Sequence, residues 1–155
     1  MVIVFEQHRL FLKKLLAAGV EFILVGGYAV NFHGYNRPTG DMDIWLKPSD
    51  ETKNKLLALL ASEGYTDSSL VAIQASDFTQ HLAFHLGEDP FRIDFLTFIQ
   101  GVKFDEAQKQ QQLLPLGDKV VPVLHLHHLV LSKMNTNRLK DKADVEELQK
   151  IKRPS

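Results

Sequence analysis

Cysteine is absent from this chain of 155 residues. That excludes disulfides, thiolate zinc sites and cysteine nucleophiles, though it assigns no compartment by itself. Long apolar runs are missing too. Nothing approaches the ~20 consecutive apolar residues of a membrane span. The stretch from Met1 to Leu16 is broken by Glu6, Gln7, His8, Arg9, Lys13 and Lys14 and has neither the unbroken apolar core nor the cleavage site of a signal peptide. No membrane partner is therefore expected, and the expected location is the cytoplasm. Charge of one sign is also lacking. The 18 Lys and Arg nearly balance 19 Asp and Glu, for a formal net charge of −1. No basic excess is available to coat nucleic acid, and a local basic strip would have to lie in the C-terminal third.

What is present suits one globular domain. The chain is 45% hydrophobic and 24% charged, and a chain of this length buries roughly 70% of its unfolded surface without staples. No internal repeat or long linker divides residues 1–155. Apolar residues at Phe5, Leu12, Leu15 and Leu16 predict an amphipathic helix over 5–18, with Gly19 at its C-terminal cap. A short strand over 22–25 runs into Gly26-Gly27, a short helix over 28–33 follows, and 34–40 is a loop. Alternation predicts a strand over 41–46, and Ser49 or Asp50 caps a helix running to about residue 62. Residues 70–75 read as a strand. Residues 81–86 and 91–95 read as a hairpin around Gly87-Glu88-Asp89-Pro90, and 115–123 as a second, around Gly117-Asp118. Helices are expected over 104–112, 126–135 and 139–150. The sum is an α+β fold, a mixed sheet flanked by helices with further helices at the C-terminus.

Three features stand in a chemically meaningful order: Gly26-Gly27, Asp41-Met42-Asp43 and Asp94. Residues two apart in a strand share a face, so Asp41 and Asp43 present paired carboxylates while Met42 and Ile44 turn to the core. Like charges that close repel, and a divalent metal relieves them. Magnesium suits the position, being held by one or two carboxylates plus substrate phosphates. Asp94 alternates within Arg92-Ile93-Asp94-Phe95-Leu96 and can reach the same edge as a base or a further metal ligand. The glycine pair opens a helix directly after a strand, where backbone N–H groups and the absent Cβ favour an approaching phosphate.

Blander readings exist for each feature. Asp41 and Asp43 can be solvated residues at a strand start, Asp94 a salt-bridge partner of Arg92, and Gly26-Gly27 a tight turn. Lys133 can be a snorkelling surface lysine. The charges from Arg138 to Glu147 read as ion pairs lacing a helix surface, with Asp141 the best placed for more. His81, His85, His125, His127 and His128 lack zinc-ligand spacing and read as polar residues clustered on the surface. Trp45 and most of the 10 phenylalanines are expected in the core.

The run Leu24-Val25-Gly26-Gly27-Tyr28-Ala29-Val30, followed by Arg37-Pro38-Thr39-Gly40-Asp41-Met42-Asp43-Ile44, resembles the signature of the DNA polymerase beta-like nucleotidyltransferase superfamily. Arg-x-Thr before the first Asp is similar to the stand-alone bacterial group, which includes abortive-infection toxins and the minimal nucleotidyltransferases of toxin–antitoxin pairs. Leu129-Val130-Leu131-Ser132-Lys133-Met134 with Arg138-Leu139-Lys140-Asp141 and Asp144-Val145 is similar to that group's closing helices. The resemblance implies that Gly26, Gly27, Arg37 and Thr39 line the triphosphate site. It implies that Asp41, Asp43 and Asp94 hold Mg2+ or Mn2+, and that Lys133 neutralises phosphate charge. The implied reaction is in-line attack of an acceptor hydroxyl, on RNA, protein or a small molecule, at the α-phosphate of an NTP, releasing pyrophosphate. Where the superfamily often has Gly-Ser, Gly27 brings no hydroxyl. The alternative is a nucleotide-binding, catalytically weak toxin–antitoxin module acting through a protein partner. Antibiotic modification is disfavoured, on the expectation that such enzymes need a larger C-terminal domain for the drug.

Overall fold

A computed structural model describes residues 4–134 and 136–151. The elements follow as α1 (Glu6–Ala17), β1 (Phe22–Val25), α2 (Gly26–Phe32), β2 (Met42–Leu46), α3 (Asp50–Ser62), α4 (Asp67–Gln74), β3 (Ala83–Leu86), β4 (Ile93–Leu96), α5 (Phe104–Gln110), β5 (Gln112–Leu116), β6 (Lys119–Val123), α6 (Leu126–Met134) and α7 (Leu139–Gln149). The strands form one mixed sheet in the order β3-β4-β2-β1-β6-β5. Its antiparallel pairs are β1 with β2, β3 with β4 and β5 with β6; β2 runs parallel to β4, and β1 to β6. The α+β reading therefore holds.

Burial explains the layering. All four residues of β1 are buried, as expected of a strand covered on both faces. On one face, Ile44 of β2 lies level with Phe95 of β4, and Phe11 of α1 meets the Phe95 ring edge-on. On the other, Trp45 packs edge-on against Phe104 of α5. The cover thins towards the β3 edge. Leu86 and Phe84 turn inwards there, while Ala83 and His85 face outwards and are exposed. Asp43 and Asp94 point to this thinly covered side.

Local signals account for most boundaries. Ser49 caps α3, its side chain accepting a hydrogen bond from the Thr52 amide at 3.2 Å. Gly19, at φ +73°, ends α1 with its N–H on Leu16 O. Residues 70–75, expected as a strand, instead fall in α4 and its C-terminal cap. Their burial has helical period: Ile73 is buried and Leu70 half-buried, while Val71 and Ala72 between them are exposed. Lys53 of α3 then closes the end, donating to the carbonyls of Gln74 and Ser76. None of the described helices is long and apolar enough to cross a membrane.

Candidate nucleotide and metal site

The site is built where β1 gives way to α2. Val25 is level with Asp43 on β2, and Asp43 is level with Asp94 on β4. Adjacent strands lie about 4.8 Å apart, so the two carboxylates stand side by side. Asp41 sits just before β2, where the Met42 amide donates to Arg92 O.

Gly26 and Gly27 are required by what lies against them. Gly26 has φ +66°, and a Cβ there would stand 2.0 Å from Asp43 Oδ2. A Cβ on Gly27 would stand 2.0 Å from Thr39 Oγ1 and 3.4 Å from Arg37 Nη1. The space left by the missing side chains is thus filled by this chain's own carboxylate and hydroxyl. The same contact bears on the missing serine. Thr39 brings its hydroxyl to the spot where a residue-27 side chain would begin, so a hydroxyl borders the glycine pair after all. Gly27→Ser is expected to lower the melting temperature and weaken nucleotide binding, because Thr39 Cβ is also only 2.7 Å from the new atom. Thr39→Gly in the same chain is expected to recover the melting temperature, as read by thermal melts; failure of the pair to recover it would refute the steric account.

The electrostatics are lopsided. Burial, then the charges of Asp94 and Asp41, push the Asp43 carboxyl up to about 6. Asp41 is raised as well, by burial and by the facing Asp89, with Asp94 adding to it. Among the described residues no Lys or Arg forms an ion pair with Asp41 or Asp43. Asp94 does have a partner, because Arg92 Nε and Nη2 both reach its Oδ1 at 2.9 Å, the salt bridge weighed from sequence. Asp89, read as a turn residue, is an additional carboxylate at the site.

A second cluster lies on the opposite wall. Asp144 is fully buried and accepts two hydrogen bonds from Arg37, Nε to Oδ1 at 2.7 Å and Nη2 to Oδ2 at 2.9 Å. Lys133 Nζ lies 3.0 Å from both Asp141 Oδ1 and Asp144 Oδ2, and Thr136 donates to Asp141 Oδ2. Burial alone would raise both carboxyls, but the Lys133, Arg37 and Thr136 donors overcome it and hold them below their ordinary value. Reading this segment as surface ion pairs overlooked Asp144. The signal was present: Asp141, Asp144 and Leu148 share one face of α7, and all three are buried.

The two clusters enclose three adjoining cavities, all bordered by Asp43. One of about 280 Å³ runs past Gly26, Gly27, Arg37, Lys133 and Lys140. One of about 590 Å³ lies over Thr39, Asp41, Asp89, Asp94 and Arg138. The third, about 510 Å³, opens beyond Asp94 towards β3. The structure thus gathers every residue singled out for the site: Gly26, Gly27, Arg37, Thr39, Asp41, Asp43, Asp94 and Lys133. It adds Arg138 and Lys140, which the sequence placed in the segment similar to the closing helices without a role at the site. Lys140 is close enough to Asp43 to work, with Lys133, against the rise in its pKa.

Among the described residues, no group of three or more His, Cys, Asp or Glu side chains is arranged to hold a metal ion unaided. The donors nevertheless fit a hard divalent cation. Asp41 and Asp43 offer hard carboxylate oxygens, and substrate phosphates ordinarily complete the shell of such a cation. The histidines are less uniform than expected: His128 is buried, as are His8 and His33, outside the group considered from sequence. His8 Nδ1 lies 2.8 Å from the Tyr28 hydroxyl, tying α1 to the helix that opens with the glycine pair.

Two solved structures share the architecture. A lincosamide antibiotic adenylyltransferase, LnuA, determined with lincomycin bound, is 18% identical, with a TM-score of 0.58 over 96% of this chain and 99% of its own. An antigenic nucleotidyltransferase-like protein from Paracoccidioides brasiliensis is 11% identical, with a TM-score of 0.52 over 91% of this chain and 71% of its own. The first match corrects the size argument against antibiotic modification, since that enzyme is spanned almost end to end by a chain of this length. No curated protein matches the sequence. The family model described as nucleotidyl transferase of unknown function (DUF2204) matches residues 4–154, and with the nucleotidyltransferase fold around it the chain belongs to that family.

Proposed function

We infer that the chain moves a nucleoside monophosphate from an NTP to an acceptor hydroxyl, with Mg2+ or Mn2+ as cofactor. The observation that carries this reading is the state of Asp43, raised to about 6 by desolvation and then by the neighbouring carboxylates Asp94 and Asp41, and pressed against the bare backbone of Gly26. Such a site repels itself until a cation arrives. Asp41 and Asp43, with Asp94 beside them, would hold the ion, which when bound neutralises phosphate charge and activates the attacking oxygen.

The remaining steps belong to this chain's own residues. Arg37 is fixed by Asp144 through Nε and Nη2, which leaves Nη1 facing Gly27. With Thr39 it orients the triphosphate over the glycine pair. Lys133, Arg138 and Lys140 supply positive charge along the same wall. Asp94 accepts the proton from the acceptor hydroxyl, whose oxygen forms the new bond to the α-phosphorus as the bond to pyrophosphate breaks. The acceptor hydroxyl belongs to RNA, protein or a small molecule, and the likeness to a lincosamide antibiotic adenylyltransferase favours testing small molecules first.

Calorimetric titration of the wild type and the Asp41→Ala/Asp43→Ala variant with each of the four NTPs, with and without magnesium, tests the assignment. Binding that needs magnesium and vanishes in the variant is the expected result. Unchanged binding in the variant would overturn it. Binding without turnover on any acceptor would point to the partner-dependent toxin–antitoxin alternative.

A further inference from the structure

The cavity beyond Asp94 differs in chemistry from its two neighbours. Its rim is shared with the site, since Asp43 and Asp94 both border it and Leu96 and Phe98 stand between it and the cavity over the glycine pair. Its walls, however, are aromatic and aliphatic. The rings of His81 and Phe98 stack at 3.6 Å, only 15° from parallel, with Ala83 and Leu96 beside them. Its only Lys or Arg is Arg92, and that side chain is committed to Asp94. The cations suited to phosphate, Lys133, Arg138 and Lys140, all border the other two cavities.

Resting on the nucleotidyltransferase reading above, we propose that this cavity is the acceptor subsite and that it takes a small, uncharged, ring-bearing alcohol. Three observations converge on that class. The volume, about 510 Å³, falls in the ~300–1,000 Å³ range of small-molecule sites. A polyanionic RNA acceptor would meet two carboxylates and no uncommitted Lys or Arg, whereas a neutral ring meets a flat stacked surface. The wall is also preformed. The Thr97 hydroxyl donates to Gln80 O at 2.6 Å and accepts from the Leu82 amide at 2.9 Å, clamping the segment that carries His81 onto the end of β4. Phe98 nonetheless remains 42% exposed, a large ring kept at the surface. His85, level with Asp94 across the β3–β4 pair, stands where it can hydrogen-bond a hydroxyl directed at that carboxylate.

Amide chemical shifts of the labelled protein, saturated with magnesium and whichever NTP it binds, provide the test. The probes are phenyl β-D-glucoside, 2-phenylethanol and a single-stranded oligoadenylate. The two alcohols are expected to shift residues 81–85 and 96–98 with a Kd of about 1 mM or tighter. Phe98→Ala is expected to weaken them about tenfold, a loss of the size of one aromatic contact. Ala83→Trp, which fills the cavity from an exposed position, should abolish the shifts. NTP affinity should stay unchanged in Ala83→Trp, because Ala83 borders this cavity alone whereas Phe98 also borders the cavity over the glycine pair. Weakened NTP binding in Ala83→Trp would assign the cavity to the nucleobase instead, and oligoadenylate shifting these residues while the alcohols do not would assign it to RNA. Either outcome overturns the proposal. So does the absence of any shift while the NTP still binds, and that pattern leaves the nucleotide site standing.

Discussion

Asp43→Asn is expected to make the protein more stable at pH 7 and to remove the magnesium-dependent nucleotide binding proposed above. The carboxyl titrates near 3.8 in an ordinary setting and near 6 in the fold. The folded protein therefore holds that proton more tightly than the unfolded chain, and ionising the group weakens the fold. The penalty begins as pH rises past the lower value and is complete above the upper one. A difference of this size corresponds to roughly 3 kcal/mol, an upper figure because the site keeps some contact with water. The blander sequence reading made the pair solvated residues at a strand start, whereas the structure makes Asp43 a half-buried carboxylate that weakens the fold when ionised. Thermal melts of the wild type and Asp43→Asn at pH 4 and pH 8 check this. The variant should gain only at the higher pH. Equal melting temperatures at both would show that Asp43 is already neutralised by a partner. Proton competition has a second consequence. Magnesium-dependent binding should decline as pH falls through about 6, since the ion needs the carboxylate form.

Asp144→Ala acts in the opposite direction and on the opposite wall. It strips the fully buried partner from Arg37 and one of two partners from Lys133. Leaving buried cations uncompensated costs about 3–5 kcal/mol, which in a domain of this size lowers the melting temperature by about 10 °C. Replacing both members of the principal pair, Arg37→Leu/Asp144→Leu, should cost less than Asp144→Ala alone, because no unmatched guanidinium remains. A double variant worse than the single one would contradict this. The two walls also differ in pH response. Asp141 and Asp144 have depressed carboxyls. Their stabilisation is complete above the ordinary carboxylate range and is lost only as pH falls through their lower folded values.

The legible parts of the sequence were those governed by short-range rules. Strand alternation placed Met42 and Ile44 inwards and Asp43 outwards, and the glycine pair marked the strand-to-helix junction. The 70–75 segment misled because a short apolar run carries no decisive period until Ile73 and Leu70 are seen to share a buried side. The parts that could not be read depended on distant partners. Thr39 against Gly27, Asp89 facing Asp41 and Arg37 held by Asp144 are products of tertiary closure, and no local pattern announces them.

The pairing of Arg37 with Asp144 joins residues 107 positions apart. During synthesis, the glycine pair and both acidic strands leave the ribosome well before the helix that fixes Arg37. A growing chain therefore displays the carboxylates of Asp41, Asp43 and Asp94 while the Arg37 guanidinium still lacks Asp144. On the reading proposed above, the wall that would orient phosphate is the last part of the site to be completed, when α7 docks.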